Sequence, residues 1–180
     1  MMETTFATFA DFPAILALQA LNHLTTLPEN ARGDGFLTTY LESEKLAYLH
    51  VNRGLFVAKS GGELAGYVCS EGWELGANRS FHERVATLFP LYLGSREITA
   101  QNSRLYGPVC VAAAFRGQNV LAGLVEAVKT EYRPRFSFLL TFIDYRNARS
   151  LAAHERKLGF QIVGELPYDD TTYHVLAFPL

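Results

Sequence analysis

The segment Phe136-Ser137-Phe138-Leu139-Leu140-Thr141-Phe142-Ile143 is apolar almost throughout and shows no alternation of wet and dry positions. A strand of this kind has to be covered on both faces, which places it inside a sheet flanked by helices. Its neighbours supply the cover. Upstream, Val120, Leu121, Leu124, Val125 and Val128 recur at the spacing of a helix with one apolar face. Downstream, Ala148 to Leu158 reads as a second helix, stopped by Gly159. Before both, Arg104 to Ala112 reads as a strand interrupted by Gly107-Pro108, which implies a bulge or splay, because proline removes a ladder donor. The result is a β-α-β-α unit from Arg104 to Leu158.

The remaining elements extend this pattern. Thr4 to Ala10 reads as a strand, Asp11 as a helix N-cap and Pro13 as a first-turn residue of a helix over Ala14 to Leu24. Pro28 to Gly35 is a loop by its turn residues, and a second helix is expected over Phe36 to Leu46. Leu55 to Lys59 and Glu63 to Cys69 flank Gly61-Gly62 as a hairpin. Ser80 to Leu93 reads as a helix ended by Pro90. Phe160 to Val163 and Thr172 to Phe178 close the chain as strands around a Pro167 to Asp170 turn. Strands mixed with helices predict an α/β fold: one domain over residues 1–180 with a mixed sheet of six or seven strands flanked by helices.

Composition narrows the function. The chain has 180 residues, 49% of them hydrophobic, enough for a core without disulfide or metal staples. With 16 Lys+Arg against 18 Asp+Glu the formal net charge is -2, which argues against nucleic acid as a partner. Cys69 and Cys110 sit in apolar strands with no Cys/His cluster, so no metal site is expected and the thiols fit a reducing compartment. No apolar run approaches the roughly 20 residues that span a bilayer, and the N-terminus lacks a signal-peptide pattern. The expectation is a cytoplasmic protein that does not bind membranes.

One segment carries chemistry. Phe115-Arg116-Gly117-Gln118-Asn119-Val120-Leu121 joins a strand to a helix through a short glycine-containing turn. The free N–H groups and dipole of the helix start make a pocket suited to phosphate, and Arg116 adds a full charge. The same residues carry a family resemblance. Val111, Arg116, Gly117, Val120 and Leu124 match the V-x-P-x-x-R-G-x-G-[IVL]-[GA]-x-x-L signature of GCN5-related N-acetyltransferases (GNAT). Asn147-Ala148-Arg149-Ser150 and Lys157-Leu158-Gly159-Phe160 match the N-x-x-[AS] start and L-G-F end of that family's fourth helix. The chain thus resembles the GNAT superfamily over nearly its whole length, with an atypical insertion at about 70–103. Asn119 stands where the family has Gly, Leu121 where it has Gly or Ala, and Ala113 where it has Pro.

The resemblance implies an acetyl-CoA-dependent N-acetyltransferase that passes an acetyl group directly to a primary amine of a small molecule or peptide. It implies that backbone amides of Gln118, Asn119, Val120 and Leu121 hold the pyrophosphate, with Arg116 and Gly117 shaping the loop. Val109 and Val111 would pair with the pantetheine arm, Asn147 would reach it from the other side, and Val111 or Ala112 would supply the oxyanion N–H. His154 occupies the place of the family's thiolate-protonating tyrosine when counted from Asn147. Counted back from Gly159-Phe160, Glu155 does, because this helix is one residue longer. Glu71 and Glu74 are positional candidates for the base, while Tyr67 and Tyr106 are strand residues that either line the acceptor cleft or, the preferred reading, pack in the core, and Cys110 reads as an inert buried thiol. Many members dimerise, which makes a homodimer one assembly to test. Two rival readings stay open: an acyl-CoA-binding or regulatory module without turnover, and a protein–protein module without a CoA site.

Overall fold

The computed structural model describes residues 2–73 and 79–180. In chain order the elements are β1 (Met2–Phe6), α1 (Phe12–Asn22), α2 (Ser43–Val51), β2 (Leu55–Ser60), β3 (Glu63–Glu71), α3 (Arg79–Ala86), β4 (Leu91–Leu93), β5 (Arg96–Ile98), β6 (Ser103–Val111), α4 (Val120–Tyr132), β7 (Phe138–Asp144), α5 (Ala148–Ala152), β8 (Gln161–Tyr168) and β9 (Thr171–Pro179). The main sheet has seven strands in the order β1-β2-β3-β6-β7-β9-β8, and β4 and β5 form a separate hairpin. β6 and β7 pair in parallel, while β1–β2, β2–β3, β7–β9 and β8–β9 include only antiparallel pairings. This is the mixed α/β sheet that the sequence predicts.

The chain divides into two compact units, residues 1–71 with 106–131 and residues 72–105 with 132–180. The first unit has its core where α1 and α2 pack on β2 and β3: Ile15, Leu46, Leu49, Val57 and Tyr67 are buried there with Cys69 and Cys110. Gly61 and Gly62, both with positive φ, close the β2–β3 hairpin, a backbone path that two side chains would oppose. In the second unit Phe138, Leu140, Leu166, Val175 and Ala177 form the core with Val85, Leu91 and Ile98 from α3, β4 and β5. The apolar run opening at Phe136 becomes β7, and six of its seven residues are buried.

Four elements depart from the sequence reading. β1 ends at Phe6, and Phe9 enters a 3-10 turn with its ring 60% exposed. The second helix starts at Ser43, not Phe36, because the backbone at Leu37 and Leu41 is hydrogen-bonded to α1 and the segment stays non-helical. Leu37 N–H donates to the Asn22 carbonyl at 2.8 Å, and the buried Gln19 amide both donates to and accepts from the Leu41 backbone. The helix expected up to Leu93 ends at Ala86, and Gly94 turns the chain into the β4–β5 hairpin. Finally, α5 passes at Ala153 into a π turn that runs to Lys157. A π turn holds one extra residue per turn, so the additional residue counted between Asn147 and Gly159 has a physical location.

Candidate active site

The strand-to-helix junction of the first unit is built as follows. Ala112 N–H donates to the Ala65 carbonyl at 2.9 Å, which fastens the end of β6 to β3. Successive strand N–H groups point to opposite edges, so the N–H groups of Val109 and Val111 face away from β3. After a 3-10 turn at Ala113–Phe115 the backbone becomes extended at Arg116 and left-handed at Gly117 (φ 82°) and again at Asn119 (φ 62°). Asparagine tolerates that region better than most residues, so it takes the place of the family's glycine. α4 begins at Val120, and its first N–H groups have no carbonyl one turn earlier to receive them. A Cβ on Gly117 would meet nothing within 4 Å. The loop therefore leaves the N–H groups at the start of α4 open at the positive end of a 13-residue helix, an arrangement suited to an anion.

Arg116 does more than add charge. Its Nη2 donates to the Asn22 side-chain carbonyl at 2.9 Å and its Nε donates to the Val111 carbonyl at 3.4 Å. One guanidinium thus links the loop, the end of β6 and the end of α1. Asn22 is the residue that sequence reasoning misses: it lies far from Arg116 in the chain, and only the fold brings the two together. Leu121 is half-buried at the first turn of α4.

The other predicted residues belong to different surroundings. Glu71 pairs with Lys45 of α2, both side chains nearly buried. It lies five to six residues along β3 from the level of Val111 and Ala112, roughly 16–20 Å at the rise of a strand. A general base has to reach its proton directly or through one water, and Glu71 reaches Lys45. Glu74 lies outside the described residues. Of the two expected oxyanion donors, Ala112 gives its N–H to the Ala65 carbonyl, and the Val111 N–H faces the other edge of β6. Tyr67, opposite this part of β6, is fully buried, and burial keeps its phenol protonated. Burial also pushes the Cys110 thiol up to about 12 although Arg116 opposes the shift, and the Cys69 thiol rises as well. Neither sulfur is a nucleophile at neutral pH.

In the second unit Asn147 is the N-cap of α5, its side chain accepting from Ser150 N–H at 3.3 Å. Asp144, at the end of β7, is buried. Burial would raise its pKa, but hydrogen bonds from Arg146 outweigh that and hold the carboxyl below its usual range. His154 sits in the π turn, 2% exposed, with its ring edge-on to Phe160 at 5.4 Å. Its Nδ1 lies 2.8 Å from the Ser150 carbonyl, which can only accept, so Nδ1 carries the hydrogen. Burial lowers the pKa of His154, against a smaller opposing effect of that hydrogen bond. Glu155, its alternative, is exposed. Around α3, Trp73, Phe81, Phe142, Tyr168 and Tyr173 form a cluster of edge-on rings with centroids 5.1 to 6.4 Å apart.

A seven-stranded mixed sheet with a strand-to-helix turn at residues 112–120 is the arrangement that the signature over residues 111–124 implies. Residues 18–160 match the acetyltransferase (GNAT) family, and the chain belongs to that family as an acetyltransferase. No curated protein matches the chain. Solved structures share the fold across nearly full lengths. Ribosomal-protein-alanine N-acetyltransferase from Brucella melitensis is 21% identical with a TM-score of 0.65, covering 99% of each chain. A putative acetyltransferase, yncA, from Salmonella typhimurium, solved with acetyl-CoA, is 16% identical with a TM-score of 0.65, covering 99% of this chain and 94% of its own. Ard1 from Thermoplasma volcanium is 14% identical with a TM-score of 0.68, covering 99% and 97%.

Proposed function

We propose that this protein is an acetyl-CoA-dependent N-acetyltransferase that acts on a primary amine of a small molecule or peptide. The observation that carries the reading is the turn from Arg116 to Leu121, with two left-handed residues feeding a helix start. Amides of Asn119 to Leu121 hold the diphosphate there, while Gln118 N–H donates within the loop to the Phe115 carbonyl at 3.3 Å and Arg116 and Gly117 fix the path of the loop. Acetyl-CoA, when bound, supplies the activated acetyl carbonyl. The chain contributes orientation: Val109 and Val111 present strand N–H groups, and Val111 is positioned to donate toward developing negative charge. No side chain described here is assigned as the base.

For His154 we propose a positioning role. A neutral imidazole whose Nδ1–H is held by Ser150 presents an acceptor at Nε2, not a proton, and its burial resists charging. His154→Asn should keep turnover within about threefold of wild type if the ring only packs, whereas a general acid would cost 10²-fold or more. The aromatic cluster around Phe81 supports an apolar wall for the acceptor, the role we propose for the segment that follows β3.

The test is titration calorimetry with acetyl-CoA on the wild-type chain and on Arg116→Ala, followed by turnover on an amine panel. Micromolar binding that R116A weakens about tenfold supports the reading, since hydrogen bonds to charged groups carry roughly 1.5–3 kcal/mol. A second reading, acyl-CoA binding without transfer, is favoured by the pairing of Glu71 with Lys45 and by the neutral state of His154. It predicts the same binding and no turnover on any amine. Absence of binding overturns both.

A further inference from the structure

We infer that Asn22, at the C-terminal end of α1, is a positioning residue for the cofactor loop, acting through Arg116. The inference rests on the acetyl-CoA reading above and goes beyond it, because nothing in the loop signature includes α1. The hydrogen bonds of Asn22 fix its orientation. Its Nδ2 donates to the Leu18 carbonyl at 2.8 Å, and that carbonyl can only accept. Its Oδ1 therefore faces Arg116, whose Nη2 can only donate, at 2.9 Å. The side chain is buried, and its backbone carbonyl accepts from Leu37 N–H at 2.8 Å. Asn22 is thus held from both sides before it meets the guanidinium.

Arg116 stands immediately before the left-handed Gly117, from which the turn leads into the start of α4. A free arginine has many rotamers, and a loop that depends on one inherits that freedom. Here two anchors, the Val111 carbonyl and Asn22 Oδ1, select one rotamer and hold the start of the loop against α1 and β6. The remaining guanidinium donors stay directed by that geometry. Loss of Asn22 frees Arg116 without touching any loop residue. The cost should fall on acetyl-CoA affinity and vanish when Arg116 itself is absent.

The experiment is a double-mutant cycle read by calorimetric Kd for acetyl-CoA, with the Tm of each variant measured alongside. Asn22→Ala is expected to weaken binding about tenfold, the scale of one hydrogen bond to a charged group. Arg116→Ala should weaken it by at least as much, and N22A/R116A should bind no worse than R116A alone within about threefold, the signature of coupled residues. Asn22→Asp keeps an acceptor toward Arg116 and should bind within about threefold of N22 wild type. Should N22A fail to fold, Asn22→Ser replaces it, since serine is too short to reach the guanidinium. Wild-type affinity in the folded N22A or N22S chain, or losses that add in the double variant, would overturn the inference while leaving the acetyl-CoA reading intact. Failure of the wild-type chain to bind overturns that reading and this inference together.

Discussion

At neutral pH the imidazole of His154 is uncharged, because burial lowers its pKa below the ordinary value near 6.5. The sign of the resulting pH dependence follows. Below about pH 6.5 the unfolded chain takes up a proton at this position that the folded chain resists, so stability is lost as pH falls from there toward the folded pKa. Asp144 also has a depressed pKa, but its contribution is present above about pH 3.9 and is lost only as pH falls through its lower folded value. Melting temperature measured between pH 5 and 7.5 should therefore fall on acidification in wild type and fall less in His154→Phe, while Asp144 stays silent in that window. A parallel fall in both proteins would remove His154 as the cause. Buried titratable groups of this kind are invisible in sequence: His154 is an ordinary helical histidine there, and only the π turn and Phe160 show where its ring goes.

Between elements, one close constraint in the first unit is the approach of β3 to β6. A Cβ on Gly66 would lie 2.7 Å from the Cys110 carbonyl and 3.3 Å from the Val111 Cα. Exchanging glycine for alanine ordinarily stabilises by about 0.4–1 kcal/mol through the unfolded chain. Here overpacking against backbone should reverse the sign, and urea denaturation of Gly66→Ala should show a loss of about 1–3 kcal/mol. Because the displaced strand carries Val109 and Val111, acetyl-CoA affinity should fall with it. Gly117→Ala makes the opposite contrast. Its Cβ has room, but its φ of 82° is left-handed, so a cost of about 1–2 kcal/mol of local strain is expected. Calorimetry should show weaker acetyl-CoA binding in G117A, since the strain sits in the turn proposed to bind the diphosphate. Elements with a strong period or a turn signature, such as β7, α4 and the β2–β3 hairpin, were legible as sequence. The second helix was not: Phe36 to Leu41 is apolar enough to suggest a helix, yet Gln19 and Asn22 take up the backbone of Leu41 and Leu37.

For the molecule as a whole, a ligand that binds only the folded chain stabilises it by mass action. At 100 times its Kd, acetyl-CoA should add about 2.7 kcal/mol, a rise in Tm of roughly 5–10 °C for a chain this size. An unchanged Tm at that excess would count against the proposed ligand. Among the described residues no helix is long and apolar enough to cross a membrane. The sequence by itself determined the mixed α/β sheet, the strand-to-helix turn at Arg116 to Leu121 and the family, because periodicity, turn residues and short motifs are local properties of the chain. Tertiary structure decided the rest. It gave the Ala112 N–H and the Glu71 carboxylate their partners, made His154 neutral by burying it, and set Asn22 against Arg116. Each of these depends on which distant groups share a desolvated space, and hydrogen bonding and protonation follow from that proximity.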